Sequence, residues 1–135
     1  MPNYIQEFIY DMKKKNNLKI EKWEPNKVYY PEYMLLGGDR GILAYIYFLD
    51  EGPLMLDDIV NKVSRAESEL DRPVFFIRKY QDLKQLYFET NEQIKARLLD
   101  GYSGVNYIPD MMTIGHYEEL VSTFNHLKKN GIKFY

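Results

Sequence analysis

The period of the apolar positions changes several times along the chain, and each change predicts an element. Tyr4, Ile5, Phe8, Ile9 and Met12 recur at three- and four-residue intervals, the spacing of one helix face. Asn3 and Gln6 stand where a capping box would open that helix. It is expected to end near Lys15, with Lys13, Lys14 and Lys15 at the terminus where the helix dipole favours positive charge. Asn16 and Asn17 then predict a turn. Leu18, Ile20 and Trp23 fall near alternate positions and predict a short strand, stopped at Glu24, Pro25 and Asn26. Val28, Tyr29 and Tyr30 predict another extended piece, which Pro31 would hold at a sheet edge. Gly37, Gly38, Asp39, Arg40 and Gly41 are the strongest loop signal. The unbroken apolar run after them, residues 42–49, predicts a central strand buried on both faces.

Gly52 and Pro53 open the clearest helix, in which Leu56, Ile59, Val60, Val63, Ala66 and Leu70 keep helical spacing. Arg72 and Pro73 end it, because proline cannot continue a helix and disfavours helical geometry in its predecessor. Residues 73–99 read as strand, turn, strand and helix. Val74, Phe75, Phe76 and Ile77 form the first strand, residues 78–84 the turn, and Gln85, Leu86, Tyr87 and Phe88 the second strand. Thr90 and Asn91 cap a helix over residues 92–99. A loop from Asp100 to about Thr113 precedes a last helix carrying Tyr117, Leu120, Val121, Phe124 and Leu127 on one face. Lys128, Lys129, Asn130 and Gly131 are its expected C-terminus. The predicted fold is a single α+β domain over residues 1–135, a mixed β-sheet flanked by helices in the order α-β-β-β-α-β-β-α-α.

Composition narrows the class. With 45% apolar and 28% charged residues, the chain is an ordinary globular protein rather than a disordered one. Thirteen of its 21 aromatic residues are tyrosine, a residue favoured in half-covered β positions and equally suited to a recognition surface. The absence of cysteine excludes disulfides, thiolate zinc sites and a cysteine nucleophile. The longest apolar run, eight residues, falls short of the roughly 18 needed to span a bilayer, and no signal peptide is visible at the N-terminus. A soluble, cytoplasmic protein without a membrane partner is the expectation; the oligomeric state is not legible.

Net charge is −2 but unevenly spread. Residues 42–71 hold seven acids against two bases, and residues 72–99 hold six bases against three acids. An acidic helix thus precedes a basic hairpin, which either steers a partner by sign or is an internal match between neighbours. Catalytic signals are sparse. His116 and His126, both on the predicted last helix, would stand about 80° apart around its axis and about 15 Å apart along it, too far to share a metal. The glycine-rich stretch lacks the Walker spacing, so a tight turn is the stronger reading there, with Arg40 the residue to test. Ser103, between Gly101 and Gly104, misses the Gly-x-Ser-x-Gly spacing. Asp57 and Asp58 suit a first helical turn better than a Mg²⁺ site.

The order helix, three-strand meander, helix and two further strands resembles the restriction-endonuclease-like, PD-(D/E)xK fold. The local texture is similar as well, in Arg72, Pro73, Val74, Phe75, Phe76 and Ile77 followed some residues later by Leu86, Tyr87 and Phe88. The resemblance covers residues 3–89. It implies an acid on one strand and an Asp/Glu-x-Lys triplet on the next, together holding Mg²⁺ and positioning water. Asp39 is the acid near the first position, and residues 42–49 hold neither acid nor lysine. The triplet Asp82, Leu83 and Lys84 falls in the predicted hairpin turn, beyond the helix. No active-site residue carries over. Residues 42–50, 53–60 and the hairpin 74–89 also resemble a winged helix-turn-helix with the hairpin as wing and residues 92–99 as the helix after it, although residues 64–72 leave barely two turns for a recognition helix.

The expected function is non-catalytic binding of nucleic acid or of a protein that handles it, without a cofactor, metal or catalytic residue. Arg40, Arg72, Arg78, Lys79 and Lys84 would contact phosphates, and exposed tyrosines would stack. An alternative is a protein–protein module of inhibitor or immunity type, which would meet a basic partner through Asp57, Asp58 and Glu67. A second alternative, a metal-dependent nuclease with a rearranged site, would need Asp39 and Asp82.

Overall fold

The computed structural model describes residues 4–49, 54–80, 84–99, 106–107 and 114–130. Helix α1 (Tyr4–Asn16) leads to β1 (Lys19–Lys22), β2 (Tyr33–Leu36), a 3-10 turn over Gly38–Arg40, and β3 (Ile42–Phe48). Strand β4 (Leu54–Met55) enters α2 (Leu56–Glu69), followed by β5 (Val74–Lys79), β6 (Gln85–Thr90) and α3 (Asn91–Leu99). Then come β7 (Asn106–Tyr107), β8 (Ile114–His116) and α4 (Tyr117–Asn130). Six strands form one mixed sheet in the order β1-β2-β3-β5-β6-β8. Only β3 and β5 run parallel, joined through α2, and the other neighbours are antiparallel. The α+β domain with a mixed sheet flanked by helices is the architecture the periodicity predicts.

Alternation along the central strands divides the core in two. Ala44, Ile46, Phe75, Ile77 and Leu86 face α1 and α4, and meet Phe8, Met12, Leu120 and Phe124. Tyr45, Tyr47, Val74, Phe76 and Tyr87 face the opposite way, towards Ile59 and Val63 of α2 and Ile94 of α3. The sheet is therefore the middle of three layers, which is why residues 42–49 read as uniformly apolar. Phe8, Phe76 and Phe124 are wholly buried, each contributing about 1.5–3 kcal/mol. The Tyr4 hydroxyl donates to the Leu49 carbonyl at 2.9 Å, with the Ile77 carbonyl 3.2 Å away, and so ties α1 to the ends of both parallel strands.

The structure corrects several boundaries. Val28, Tyr29 and Tyr30 are not extended: Asn26 (φ 55) and Tyr29 (φ 67) turn the chain there. The Tyr47 hydroxyl holds that turn by donating to the Tyr29 carbonyl. The strand lies further on, at Tyr33–Leu36, and is interior rather than at an edge. Arg78 and Lys79 belong to β5, where Lys79 pairs with Leu86, because the ladder continues past the last apolar residue. Helix α2 begins at Leu56; Gly52 and Pro53, like Asn3, Ser103 and Gly131, lie outside the described residues. His116 is on β8, not on the last helix, which starts at Tyr117. At α3 the expected cap is present: Gln93 N–H donates to Thr90 Oγ1 at 3.3 Å, and Thr90 N–H to Gln93 Oε1 at 2.8 Å, a reciprocal capping box.

Candidate functional site

Much of the basic segment's charge is turned inward. Arg78, on the α2/α3 face of β5, is only 7% exposed. Glu89 of β6 is 1% exposed, and both its oxygens accept from the guanidinium of Arg97 on α3, one of them at 2.6 Å. Arg72 Nε donates to the Ile42 carbonyl at 3.1 Å while its Nη1 pairs with Asp71, pinning the α2–β5 connection to the start of β3. Lys95 pairs with Glu67 across the α2/α3 contact. Lys79 is half-buried at the end of β5. Lys84 is exposed beside β6, and its carbonyl accepts from Tyr117 N–H at 2.8 Å. The structure does not gather the hairpin bases into one exposed surface.

The acids of α2 are matched in the same way. Asp58 pairs with Lys62 at 2.8 Å, Glu67 with Lys95, and Glu69 with Arg65 at 3.1 Å. Glu69 is held below the usual carboxylate range by the Tyr30 hydroxyl first and by Arg65 after it. Asp57, exposed in the first turn, follows the helix dipole.

A cationic surface arises elsewhere, where α1 and α4 end. Asn17, in left-handed geometry (φ 54), closes α1: its N–H donates to the Lys13 carbonyl and Leu18 N–H to the Met12 carbonyl at 3.0 Å. The Asn17 carbonyl then accepts from Lys128 Nζ of α4 at 2.7 Å. From the other side Arg40 Nη2 donates to the Lys129 carbonyl at 3.0 Å. Gly38 (φ 60) and Gly41 (φ 70) make the turn that carries Arg40 there, in a geometry costly to other residues. Lys13, Lys14 and Lys15, Lys128 and Lys129, and Arg40 thus share one end of the molecule. Tyr10, 63% exposed, lies on the same helix with Lys14 Nζ 2.9 Å from its hydroxyl. Beside this surface Asp11 pairs with Lys15 at 3.0 Å, Asp39 is exposed next to Arg40, and Lys15 also lines a cleft with Glu7, Glu118 and Glu119. Asp82 lies outside the described residues, among which no group of three His, Cys, Asp or Glu could hold a metal ion.

A cleft of about 750 Å³ runs between α1 and the start of α4, walled by Glu7, Asp11, Lys84, His116, Glu118 and Glu119. The Tyr117 hydroxyl donates to Asp11 Oδ2 at 2.5 Å. That bond, aided by Lys15 and opposed by burial, lowers the Asp11 carboxyl below its ordinary range. Burial, then the bond to Asp11, pushes the Tyr117 hydroxyl well above its own. Near neutrality one stays ionised and the other protonated, so the pair orders the cleft and exchanges no proton. His116 is exposed on β8, and His126, exposed on α4, has its ring nitrogen 3.0 Å from Asn130 Nδ2.

In the sequence Lys13, Lys14 and Lys15 answer a helix dipole and are too few to argue a nucleic-acid patch, while Lys128 and Lys129 mark a helix C-terminus. The signal was the repetition of Lys runs at two helix ends, but nothing local says that the two ends meet. No protein-family model, curated protein or solved structure matches the chain. Among the described residues no helix is long and apolar enough to cross a membrane.

Proposed function

We propose that this chain is a non-catalytic binding protein that takes nucleic acid by its phosphates at the surface where α1 and α4 end. The observation that carries the reading is the placement of Arg40 and Lys128. Arg40 reaches the Lys129 carbonyl and Lys128 reaches the Asn17 carbonyl, drawing lysines from both helix ends around one spot. The hairpin surface expected from sequence loses Arg72 and Arg78 to internal contacts, so the phosphate contacts move to Arg40, Lys13, Lys14, Lys128 and Lys129. The order helix, three-strand meander, helix and hairpin lends support through its resemblance to nuclease-like domains. β2 and β3 carry no acid, which favours binding without cleavage.

The test is fluorescence anisotropy with labelled DNA and RNA from roughly 20 to 200 mM salt. Affinity is expected to fall steeply with salt. The double variant Lys128→Glu/Lys129→Glu should lower both affinity and salt slope, while Lys84→Glu should change neither. Absence of binding at the lowest salt would reject the reading.

A second reading, a module that meets a basic protein, is favoured by the Glu7, Asp11, Glu118 and Glu119 walls of the cleft. It would be rejected if Glu118→Lys/Glu119→Lys left the set of stoichiometric partners in a pull-down unchanged.

A further inference from the structure

We infer that the cationic surface is built for a single strand rather than a duplex, with Tyr10 as the platform on which a base stacks. This rests on the phosphate-binding reading and adds the class of nucleic acid. Tyrosines in this fold are generally tucked away: Tyr4, Tyr33, Tyr45, Tyr47, Tyr87 and Tyr117 are all buried. Tyr80, 38% exposed, lies edge-on against Tyr87 with ring centroids 5.2 Å apart. Tyr10 is the most exposed of the tyrosines whose burial the structure describes. It is 63% exposed, and among the described residues no aromatic ring packs against it; its neighbour is the Lys14 ammonium, 5.3 Å from the ring centroid.

Position on the helix matters as much as exposure. Tyr10 and Lys14 stand four residues apart on one face of α1, about 6 Å along its axis, and the chain leaves the helix at Asn17. The Asn17 carbonyl is where Lys128 arrives from α4. A strand laid along α1 would meet an aromatic face first, then Lys13 and Lys14, then Lys128, Lys129 and Arg40. Base–aromatic stacking flanked by cations is the mode by which single strands are held without sequence preference.

Geometry disfavours the duplex. α1 lies beside α4 on one face of the sheet, with Tyr117 of α4 reaching Asp11 and Lys128 reaching Asn17. Two helices side by side present a layer about 20 Å wide, too broad for a major groove of about 12 Å. A duplex also keeps its base faces inside the stack, out of reach of Tyr10.

Anisotropy on the full chain at low salt, with labelled oligothymidylate and a duplex of equal length, tests this. The single strand is expected to bind more tightly. Tyr10→Ala should weaken it about tenfold, with the salt slope and duplex binding unchanged, and Tyr10→Trp should restore it. Circular dichroism should show the same thermal midpoint for all three proteins, since Tyr10 is exposed. If Tyr10→Ala leaves single-strand affinity intact while Lys128→Glu/Lys129→Glu reduces it, the stacking inference is overturned and the phosphate reading stands. Tighter binding of the duplex would overturn it in the same way. If neither probe binds, both readings fall.

Discussion

At position 115 a single methyl group would collide with the core. A Cβ built there would stand 2.4 Å from Phe88 Cε1, so Gly115 is what lets β8 lie against β6 with Phe88 packed on the α1/α4 side. Gly115→Ala should therefore cost about 1–3 kcal/mol in urea unfolding, the range for overpacking. Combining it with Phe88→Leu should cost less than the two changes summed, since the smaller side chain relieves the clash. The single residues that decide the charge surfaces follow similar reasoning. Arg78 and Glu89 were legible as charged residues in a basic segment, yet both are buried, because each falls on an alternate strand position that the α2/α3 layer covers. A strand pattern fixes which residues share a face, but not whether a helix will lie over it.

Among the elements, those whose signal is local were readable. Thr90 supplies the expected cap at the start of α3, and Gln93 completes it as a box. Thr90→Ala is expected to cost about 1 kcal/mol, measurable as a lower urea midpoint with an unchanged slope. α3 is short, at nine residues, so it depends on this cap more than a long helix would. The apolar spacing located α2, and the run at residues 42–49 located β3. Elements with weak local signals were misplaced. Valine and tyrosine at Val28, Tyr29 and Tyr30 favour a strand, but turns at Asn26 and Tyr29, the latter held by the distant Tyr47 hydroxyl, prevent it. β8 has three residues and a glycine at its centre; only pairing with β6 makes it a strand.

For the molecule as a whole, the bond from Tyr117 to Asp11 joins residues 106 positions apart and fastens α4 to α1. Because the Asp11 carboxyl is lowered, its contribution to stability is full above about pH 4 and lost as pH falls through its folded value. Because the Tyr117 hydroxyl is raised, its contribution is full below about pH 10 and lost as pH climbs towards its folded value. Tyr117→Phe should therefore flatten both the acid and the alkaline limbs of stability against pH in denaturant titrations, relative to the parent. An unchanged profile would show that the bond does not form in solution.

The sequence by itself determined the class of fold, most helices, the buried central strand and the hairpin with its capped helix. These follow from periodicity and capping, which act over a few residues. It also placed lysines at two helix ends and an arginine in a glycine turn. Only the tertiary structure decided which charges neutralise one another and which assemble. Arg40 meets Lys129 across 89 positions and Lys128 meets Asn17 across 111. Helical spacing says which face a side chain occupies, but what faces it is set by how the layers pack.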